Sequence, residues 1–600
     1  MPSKYRGLAL VQEAIRKESW ANYSELLSGL FVTHVQFEEV QKLSGLFRSK
    51  RYDLFLEYAD LLSQQQYGDI TKHYVMNQLA MLIRKYPWDP KVVKTDPETK
   101  AIKSFLASER RCFLLNRKFD LYAKLRRPYE PMLQKMRQFI EYVLGEEPQI
   151  SQVVAGMAFG SGASVGVHGN ATNLRRKLSV DKFSCTPGAL TLAYRGFSHD
   201  PFLKDFIFET RNRVSCIDHS SAKARMMGLC KFVSYNKISF VPKTAKTHRA
   251  IAVEPLLNGF VQKGIDTLLR KKLKRVGIDL SDQSKNQELA RLGSVDDSDQ
   301  SFCTIDLTSA SDNISINVVR QILPEAWFRL LDDSRSKEFL LNGVVKRYEK
   351  FCSMGNGFCF PLETLIFVAV CVACGAGVPG TDFSVYGDDI IVRRKVAEDV
   401  LKGLKALGFI PNRRKTFVEG PFRESCGADW FAGVDVRPYI LDEKLDSLQA
   451  LFKFLNLSRR NRLANDFFTE SRELILSKIP KRFQFWRPFS GPSDSGITAW
   501  ADQHLTARNC RYRGGIWKVE QLATRPREDN SLWREGIPRS SAEMYALLAG
   551  TIPNRDGTLR FTVRRKTSTS IRFTACSGAT STLLPDTGLF ALVGTFYLPR

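Results

Sequence analysis

Nowhere in these 600 residues is there an apolar run long enough to cross a bilayer; the most apolar stretch, Thr364 to Val378, falls short of the roughly 20 residues a span needs. It reads instead as a buried helix, and no membrane partner is expected. Met1 to Glu18 mixes Lys4, Arg6, Glu13, Arg16, Lys17 and Glu18 with its apolar residues, so it lacks the unbroken apolar centre of an export signal, and export is not expected. Cysteine is sparse: 12 are scattered from Cys112 to Cys576 without the density or spacing of a disulfide framework, which excludes a disulfide-stapled scaffold and suits a reducing cytoplasm. Cys371 and Cys374 form a single CxxC within the apolar stretch, with no second pair and no nearby His, so no metal or redox role is read there. The glycine loop Gly160 to Gly169 (GSGASVGVHG) lacks the GK[ST] ending of a P-loop and has no strong strand before it, so it reads as a connector. No internal repeat is found.

What the sequence has in excess is positive charge. Lys and Arg total 89 against 63 Asp and Glu, a net charge of +26 with a pI near 9.6. Such an excess points to a polyanionic partner, because each phosphate neutralised releases condensed counterions; nucleic acid is the first candidate. A hydrophobic fraction of 43% excludes disorder of the whole chain, and 600 residues exceed one core, so several subdomains are expected. Residues 1–150 read as mainly helical, with apolar residues at three-to-four spacing in Tyr52 to Leu62 and Tyr74 to Ile83. Residues 180–300 are mixed with a basic centre, 300–440 alternate strands with helices, and the remainder is basic and broken by Pro. The last 40 or so residues are rich in Thr, Ser and Gly, and part of this tail is expected to be poorly ordered.

Two acidic segments carry the chemistry. Ser301 to Ile305 is a β-favouring run ending at Asp306, and Phe383 to Tyr386 and Ile390 to Val392 are strand-like runs flanking Gly387-Asp388-Asp389. The second pattern predicts a β-hairpin with both carboxylates at its tip, since Gly and Asp tolerate the positive φ of a tight turn. If that hairpin lies beside the strand ending at Asp306, three carboxylates converge and repel one another unless cations fill the cluster, and hard oxygen ligands of this kind suit Mg²⁺. Two Mg²⁺ ions about 3.5–4 Å apart activate an attacking hydroxyl and stabilise a leaving oxygen, so phosphoryl transfer is the expected chemistry. In VPKTAKTHR (241–249), Lys243, Lys246 and Arg249 recur every third residue and are candidates to clamp a triphosphate.

These segments resemble the replicases of the single-stranded RNA phages, the levivirus group of right-hand-shaped RNA polymerases. The resemblance is carried by VPKTAKTHRAIAVEP (241–255), VGIDLSDQSKNQELA (276–290), TIDLTSASDNIS (304–315), SMGNGFCFPLETLIF (353–367), VYGDDIIV (385–392) and KTFVEGPFRESCG (415–427), in the family's order. It covers about residues 180–440 well and the outer thirds weakly. It implies a right-hand α+β fold: an N-terminal helical region (1–150) packing on fingers and thumb, fingers (151–300), a palm of antiparallel sheet and helices (301–440), and a thumb with the C-terminal region (441–600). It also implies RNA-dependent RNA synthesis with two Mg²⁺, Mn²⁺ being an acceptable substitute, held by Asp306, Asp388 and Asp389. Lys243, Lys246 and Arg249 then grip the nucleotide triphosphate, and Lys415 is a candidate acid for pyrophosphate. Ser353, Gly355, Gly357 and Thr364, with Tyr386 and Gly387, belong to the loops expected at the template and the nucleotide sugar, where small residues let a backbone approach nucleic acid; the Gly160 to Gly169 loop is a further template-facing candidate.

Asp312 is a candidate reader of the ribose 2′-hydroxyl, but it lies six positions after Asp306 where many relatives place an acid at five; Ser311, at the fifth, and Asn356 share the candidacy. The partners implied are an RNA template and product, ribonucleoside triphosphates, and host elongation factors Tu and Ts with a ribosomal protein, in the cytoplasm of a bacterial host. Two other readings compete: a reverse transcriptase, told apart by its use of deoxyribonucleotides, and a non-catalytic RNA-binding protein, told apart by the absence of metal-dependent incorporation. The basic runs Arg270 to Arg275, Arg459-Arg460 and Arg564-Arg565-Lys566 are candidates for a template channel or a docking face.

Overall fold

A computed structural model describes residues 6–89, 92–93, 96–124, 131–168, 174–178, 180–208, 219–488, 492–500, 504, 510–513, 516–526 and 567–576. The run Arg564-Arg565-Lys566 and most of the Thr- and Ser-rich tail lie outside them.

The N-terminal region is helical: α1 (Arg6–Lys17), α2 (Ser19–Thr33), α3 (Glu38–Arg48), α4 (Tyr52–Leu62), α5 (Ile70–Lys85), α6 (Pro97–Lys124) and α7 (Pro131–Leu144). The expected three-to-four spacing in 52–62 and 74–83 therefore falls on α4 and α5, whose Phe55, Leu56, Ala59, Leu79, Leu82 and Ile83 are buried. Two cores divide the chain. One joins residues 8–93 to 417–522, through contacts such as Gln78 Nε2 donating to Tyr439 O at 2.9 Å. The other runs from Phe119 to Phe409 and takes in α7, so the helical N-terminus contributes to both.

Strands β1 (Tyr235–Thr244), β2 (Thr247–Val253), β4 (Glu338–Leu341) and β5 (Val344–Arg347) share a smaller cluster of Ile238, Ala252, Phe339 and Leu341 with Phe105. Helix α9 (Ser284–Val295) packs Leu289 and Ala290 with Phe302 and Ile391, and helix α8 (Leu256–Arg275) and strand β3 (Phe302–Ile305) contribute to the second large core. Helix α10 (Cys359–Ala373) and the hairpin β6 (Ser384–Tyr386) and β7 (Asp389–Arg393) complete it. α10 is buried around its circumference from Leu362 to Cys371, as the apolar stretch predicts, because a helix apolar on all sides has no face to give to water. Among the described residues no helix is long and apolar enough to cross a membrane. Nine cysteines between Cys112 and Cys426 are free, Cys371 among them fully buried.

Two sheets frame the site. β3, β7 and β6 form an antiparallel sheet in the order β3-β7-β6, with Ile305 opposite Ile390 and Tyr386 opposite Asp389. β2-β1-β4-β5 form a mixed sheet beside it. Along the other edge of β3, Phe417 exchanges backbone bonds with Thr304 (3.1 and 2.8 Å), and Asn412 N donates to Asp306 O at 2.9 Å. The buried Arg423 guanidinium fastens this return, donating to Phe302 O at 2.8 Å and to Gly420 O at 2.7 Å. The glycine loop after residue 160 is pinned by the buried Lys177, whose Nζ donates to Gly160 O at 2.6 Å, and by Val165 N donating to Glu254 O at 3.0 Å.

Candidate active site

The β6–β7 hairpin turns on two residues, Gly387 and Asp388. Gly387 takes φ +63, and a Cβ there would lie 2.3 Å from Phe360 Cε2, so both the conformation and the space demand glycine. Its N–H donates to Thr364 Oγ1 at 3.0 Å, and that hydroxyl donates to Phe360 O at 2.9 Å. Thr364 is fully buried, so it supports the turn from beneath and has no surface to offer a template. The structure corrects the expected tip: only Asp388 stands in the loop, whereas Asp389 opens β7 and pairs with Tyr386. The reason is the two-residue loop with positive φ at its first position, which leaves the next residue in the ladder.

One step beyond the pair Ile305–Ile390, Asp306 comes abreast of Asp389 on the neighbouring strand, about 5 Å away at the backbone. Asp306 is held by Asn412, whose Nδ2 donates to Oδ2 at 2.7 Å. Burial pushes the Asp306 carboxyl up to about 6, with Asp388 adding to the rise and Lys415 and Asn412 opposing it. Burial and then the Asp388 charge push Asp389 up to about 7. Among the described residues no ion pair neutralises these three carboxylates; Lys415 is paired with Glu424 at 3.0 Å. They are neighbours rather than a closed cage: no cluster of three His, Cys, Asp or Glu among the described residues is tight enough as it stands to hold a metal ion. Even so, hard oxygen donors that repel one another and lack a cationic partner fit a divalent cation.

Facing the carboxylates is a group of cations. Lys243 lies on β1 at an irregularity in the β1–β2 register between Pro242 and Thr244, and Arg249 pairs with Val241 on the adjoining strand. Burial pulls the Lys243 ammonium down, Arg249 and Lys415 add to that, and Asp306 and Asp388 oppose it, which sets Lys243 between the two sets of charge. Burial also lowers Lys415, but Glu424 and Asp306 outweigh it and leave this ammonium raised. Lys246 does not join them. It sits in the two-residue turn between β1 and β2, with its Nζ 3.7 Å from Asp60 and 3.9 Å from Glu57 of α4. Spacing along one segment therefore brings two of the three basic residues to the site, because the turn sends the third the other way.

Lys85, at the end of α5, is a residue the sequence did not single out. Its Nζ donates to Lys243 O at 3.0 Å, and after burial the neighbours that lower it are Arg84, Lys243, Arg249 and Lys415. A helix-terminal lysine carries no sequence signal that distinguishes it from any favourable end charge. If the site takes nucleoside triphosphates, as the resemblance implies, Lys243→Met is expected to raise their apparent KM by about tenfold or more, and Lys246→Met to leave it within about twofold, in steady-state incorporation kinetics.

The loop before α10 is fixed by its own chain. Gly355 takes φ +111, and a Cβ there would lie 2.2 Å from Ala252 O, so the close approach that requires glycine is to strand β2 rather than to nucleic acid. Gly357 N donates to Gln262 Oε1 at 2.9 Å. Ser353 is buried with its hydroxyl unpartnered; Gly355 and Gly357 are exposed. Asn356 is buried, its Oδ1 accepting from Phe358 N at 3.1 Å while Nδ2 has no partner. Ser311 and Asp312 form a short 3₁₀ turn closed by Asn313, whose Nδ2 donates to Thr308 O at 3.0 Å and Ser309 O at 2.9 Å. Tyr386 packs edge-on against Phe360 at 5.1 Å and accepts from Gln283 Nε2 at 3.3 Å. The Arg270 to Arg275 run is engaged within the chain, Arg270 with Asp266 at 2.6 Å, Lys272 with Leu144 O at 2.9 Å and Lys274 with Asp279 at 2.6 Å.

Carboxylates on a strand end and a hairpin turn, opposed by a basic group, define a site suited to phosphoryl transfer. Residues 46–467 match the family described as RNA replicase, beta-chain; the chain belongs to that family. It is 35% identical to the RNA-directed RNA polymerase subunit beta of Enterobacteria phage SP over 63% of this chain and 62% of that one. With the RNA-directed RNA polymerase beta chain of Escherichia phage MS2 it shares 47% identity over 38% of this chain and 42% of the relative. With the subunit beta of Escherichia virus Qbeta it shares 35% over 63% and 60%. The matches thus span less than two thirds of these relatives' own lengths. Among solved structures, the RNA-dependent RNA polymerase of a human picorbirnavirus aligns over 62% of this chain and 82% of its own, with 11% identity and a TM-score of 0.32.

Proposed function

We propose that this chain is an RNA-directed RNA polymerase, a phage replicase subunit that extends an RNA 3′-hydroxyl by template-directed addition of ribonucleotides with release of pyrophosphate. The observation that carries the reading is the meeting of Asp306 with the Asp388-Asp389 turn at one end of an antiparallel sheet, across from Lys243 and Arg249. The family relation supports it, and so does the excess of 26 positive charges, which suits a polyanionic template.

Asp306, Asp388 and Asp389 are the residues that would hold two Mg²⁺ ions, or Mn²⁺ in their place. When bound, such ions polarise the attacking hydroxyl and neutralise charge on the leaving oxygen. Asn412 orients Asp306, and Thr364 holds the turn that presents Asp388. Lys243, Arg249 and Lys85 attract the triphosphate and counter the charge that grows on the departing pyrophosphate. Lys415, kept protonated by Glu424 and Asp306, is placed to give a proton to that leaving group. Ser311, Asp312 and Asn356 are the candidates to meet the ribose, and the exposed Gly355 and Gly357 to meet the template. In this reading β3, β6, β7 and α10 form the palm, the β1–β2 region the fingers, and the described residues after 441 the thumb, with the N-terminal helices packing on fingers and thumb. Host elongation factors Tu and Ts and a ribosomal protein are the proposed partners, in the bacterial cytoplasm.

The test is incubation of the purified chain, with and without bacterial extract, with RNA, Mg²⁺ and labelled ribonucleotides. Template-dependent incorporation that stops on chelation is expected. RNA binding without incorporation in either condition would refute the reading, and preferential use of deoxyribonucleotides would replace it by a reverse transcriptase.

A further inference from the structure

One cation beside the site is wholly enclosed and takes no part in the steps above. Lys350 has no exposed surface; its Nζ donates to Asp312 Oδ1 at 2.7 Å, lies 3.5 Å from Glu109 Oε1, and stands 3.7 Å from the centre of the Phe105 ring. Removing an ammonium from water costs several kcal/mol unless partners offset it, and here two carboxylates and an aromatic face do so.

Both partners outside the turn, Glu109 and Phe105, belong to α6. The same helix fastens the neighbouring backbone: Glu109 Oε2 accepts from Glu349 N at 2.7 Å, and Asn116 Nδ2 donates to Glu349 O at 2.8 Å. It also holds the turn, through Arg111 Nε donating to Asn313 Oδ1 at 3.0 Å. Lys350 is thus the side chain that links the turn after β3 to the segment entering the loop 353–357, with α6 as the fixed support. The bond engages Oδ1 of Asp312, and among the described residues Oδ2 has no hydrogen bond.

We infer that Lys350 is a positioning residue for sugar selection: by holding Oδ1 of Asp312 it fixes that carboxylate with the other oxygen directed at the 2′-hydroxyl of the incoming nucleotide. The inference rests on the polymerase reading. A carboxylate free to rotate about its own bond samples geometries that accept no hydroxyl, and the discrimination it offers falls accordingly. The enzyme's choice between ribose and deoxyribose then depends on a lysine that touches neither.

The full chain is assayed on an RNA primer-template with GTP and 2′-deoxyGTP, and the ratio of the two kcat/KM values is compared among variants. This ratio is independent of the fraction of folded enzyme, so a merely structural loss does not move it. Lys350→Met and Asp312→Asn are each expected to lower the ribose preference by about tenfold, and the double variant to show no further fall beyond Asp312→Asn, as for residues acting through one contact. Should Lys350→Met not fold, Lys350→Met is combined with Glu109→Gln, so that a carboxylate leaves with the ammonium, and an about tenfold lower ribose preference than in Glu109→Gln alone is expected, an equal one overturning the inference. An unchanged ratio in Lys350→Met, an unchanged ratio in Asp312→Asn, or losses that multiply in the double variant would overturn the inference. Absence of ribonucleotide incorporation by the parent chain would instead be the failure of the polymerase reading.

Discussion

Asp388→Asn is expected to abolish nucleotide addition, lowering incorporation by at least about 10²–10³-fold while RNA affinity at fixed salt stays at the parent value or rises. The substitution keeps the shape of the side chain and leaves the supports of the turn in place: Gly387 N still donates to Thr364 Oγ1, and Tyr386 still pairs with Asp389. What is lost is one negative charge in the loop, where it contributes to the rise in both Asp306 and Asp389. A chain carrying 26 excess positive charges binds RNA mainly through its phosphates, so removing one carboxylate does not weaken that binding. Labelled-nucleotide incorporation and filter binding of RNA measure the two effects separately. Near-normal synthesis by this variant would remove Asp388 from the chemistry.

The hairpin was legible because two short apolar strands flank Gly-Asp-Asp, and α10 because a long apolar run with no polar face has to be buried. Local pattern reaches that far and stops where a contact joins distant segments. Lys85 meets Lys243, Asn412 meets Asp306, and Lys350 meets both Asp312 and Glu109, and none of these single polar residues is marked by periodicity or spacing. The α6 buttress is invisible for the same reason: its Glu109, Arg111 and Asn116 read as an ordinary polar helix face until the turns after β3 and β5 are laid against them. Lys246 shows the converse failure. Its spacing from Lys243 and Arg249 is regular, but it falls in a two-residue turn and pairs with Asp60 and Glu57. Gly355 was read as a small residue that lets a backbone approach nucleic acid, whereas the close approach found in the fold is to the carbonyl of Ala252.

Asp389→Asn is expected to make the chain more stable in chelator at pH 8, although it inactivates the site. Burial and the Asp388 charge raise the folded Asp389 carboxyl from 3.8 to about 7, so between those values the folded chain holds a proton that the unfolded chain has released. Stability therefore falls as pH rises through this window, and above about pH 7 the deficit is fully present. A shift of this size corresponds to about 4 kcal/mol. The amide removes the charge, and Cys426 Sγ, 3.6 Å from Oδ2, remains beside it. Urea unfolding at pH 8 should place the variant above the parent by that amount, with the gap closing toward pH 4. Added Mg²⁺ should reverse the order, stabilising the parent by its binding free energy and the variant much less, because the amide takes one anionic ligand from the site. Because proton and cation compete for the same oxygens, the half-saturating Mg²⁺ concentration of the parent should fall as pH rises from about 6 to 8, through the folded values near 6 and 7 for Asp306 and Asp389. A variant less stable than the parent in chelator at pH 8 would mean that these carboxylates do not oppose one another in the folded chain, and the electrostatic reason for a cation at this turn would be lost with it.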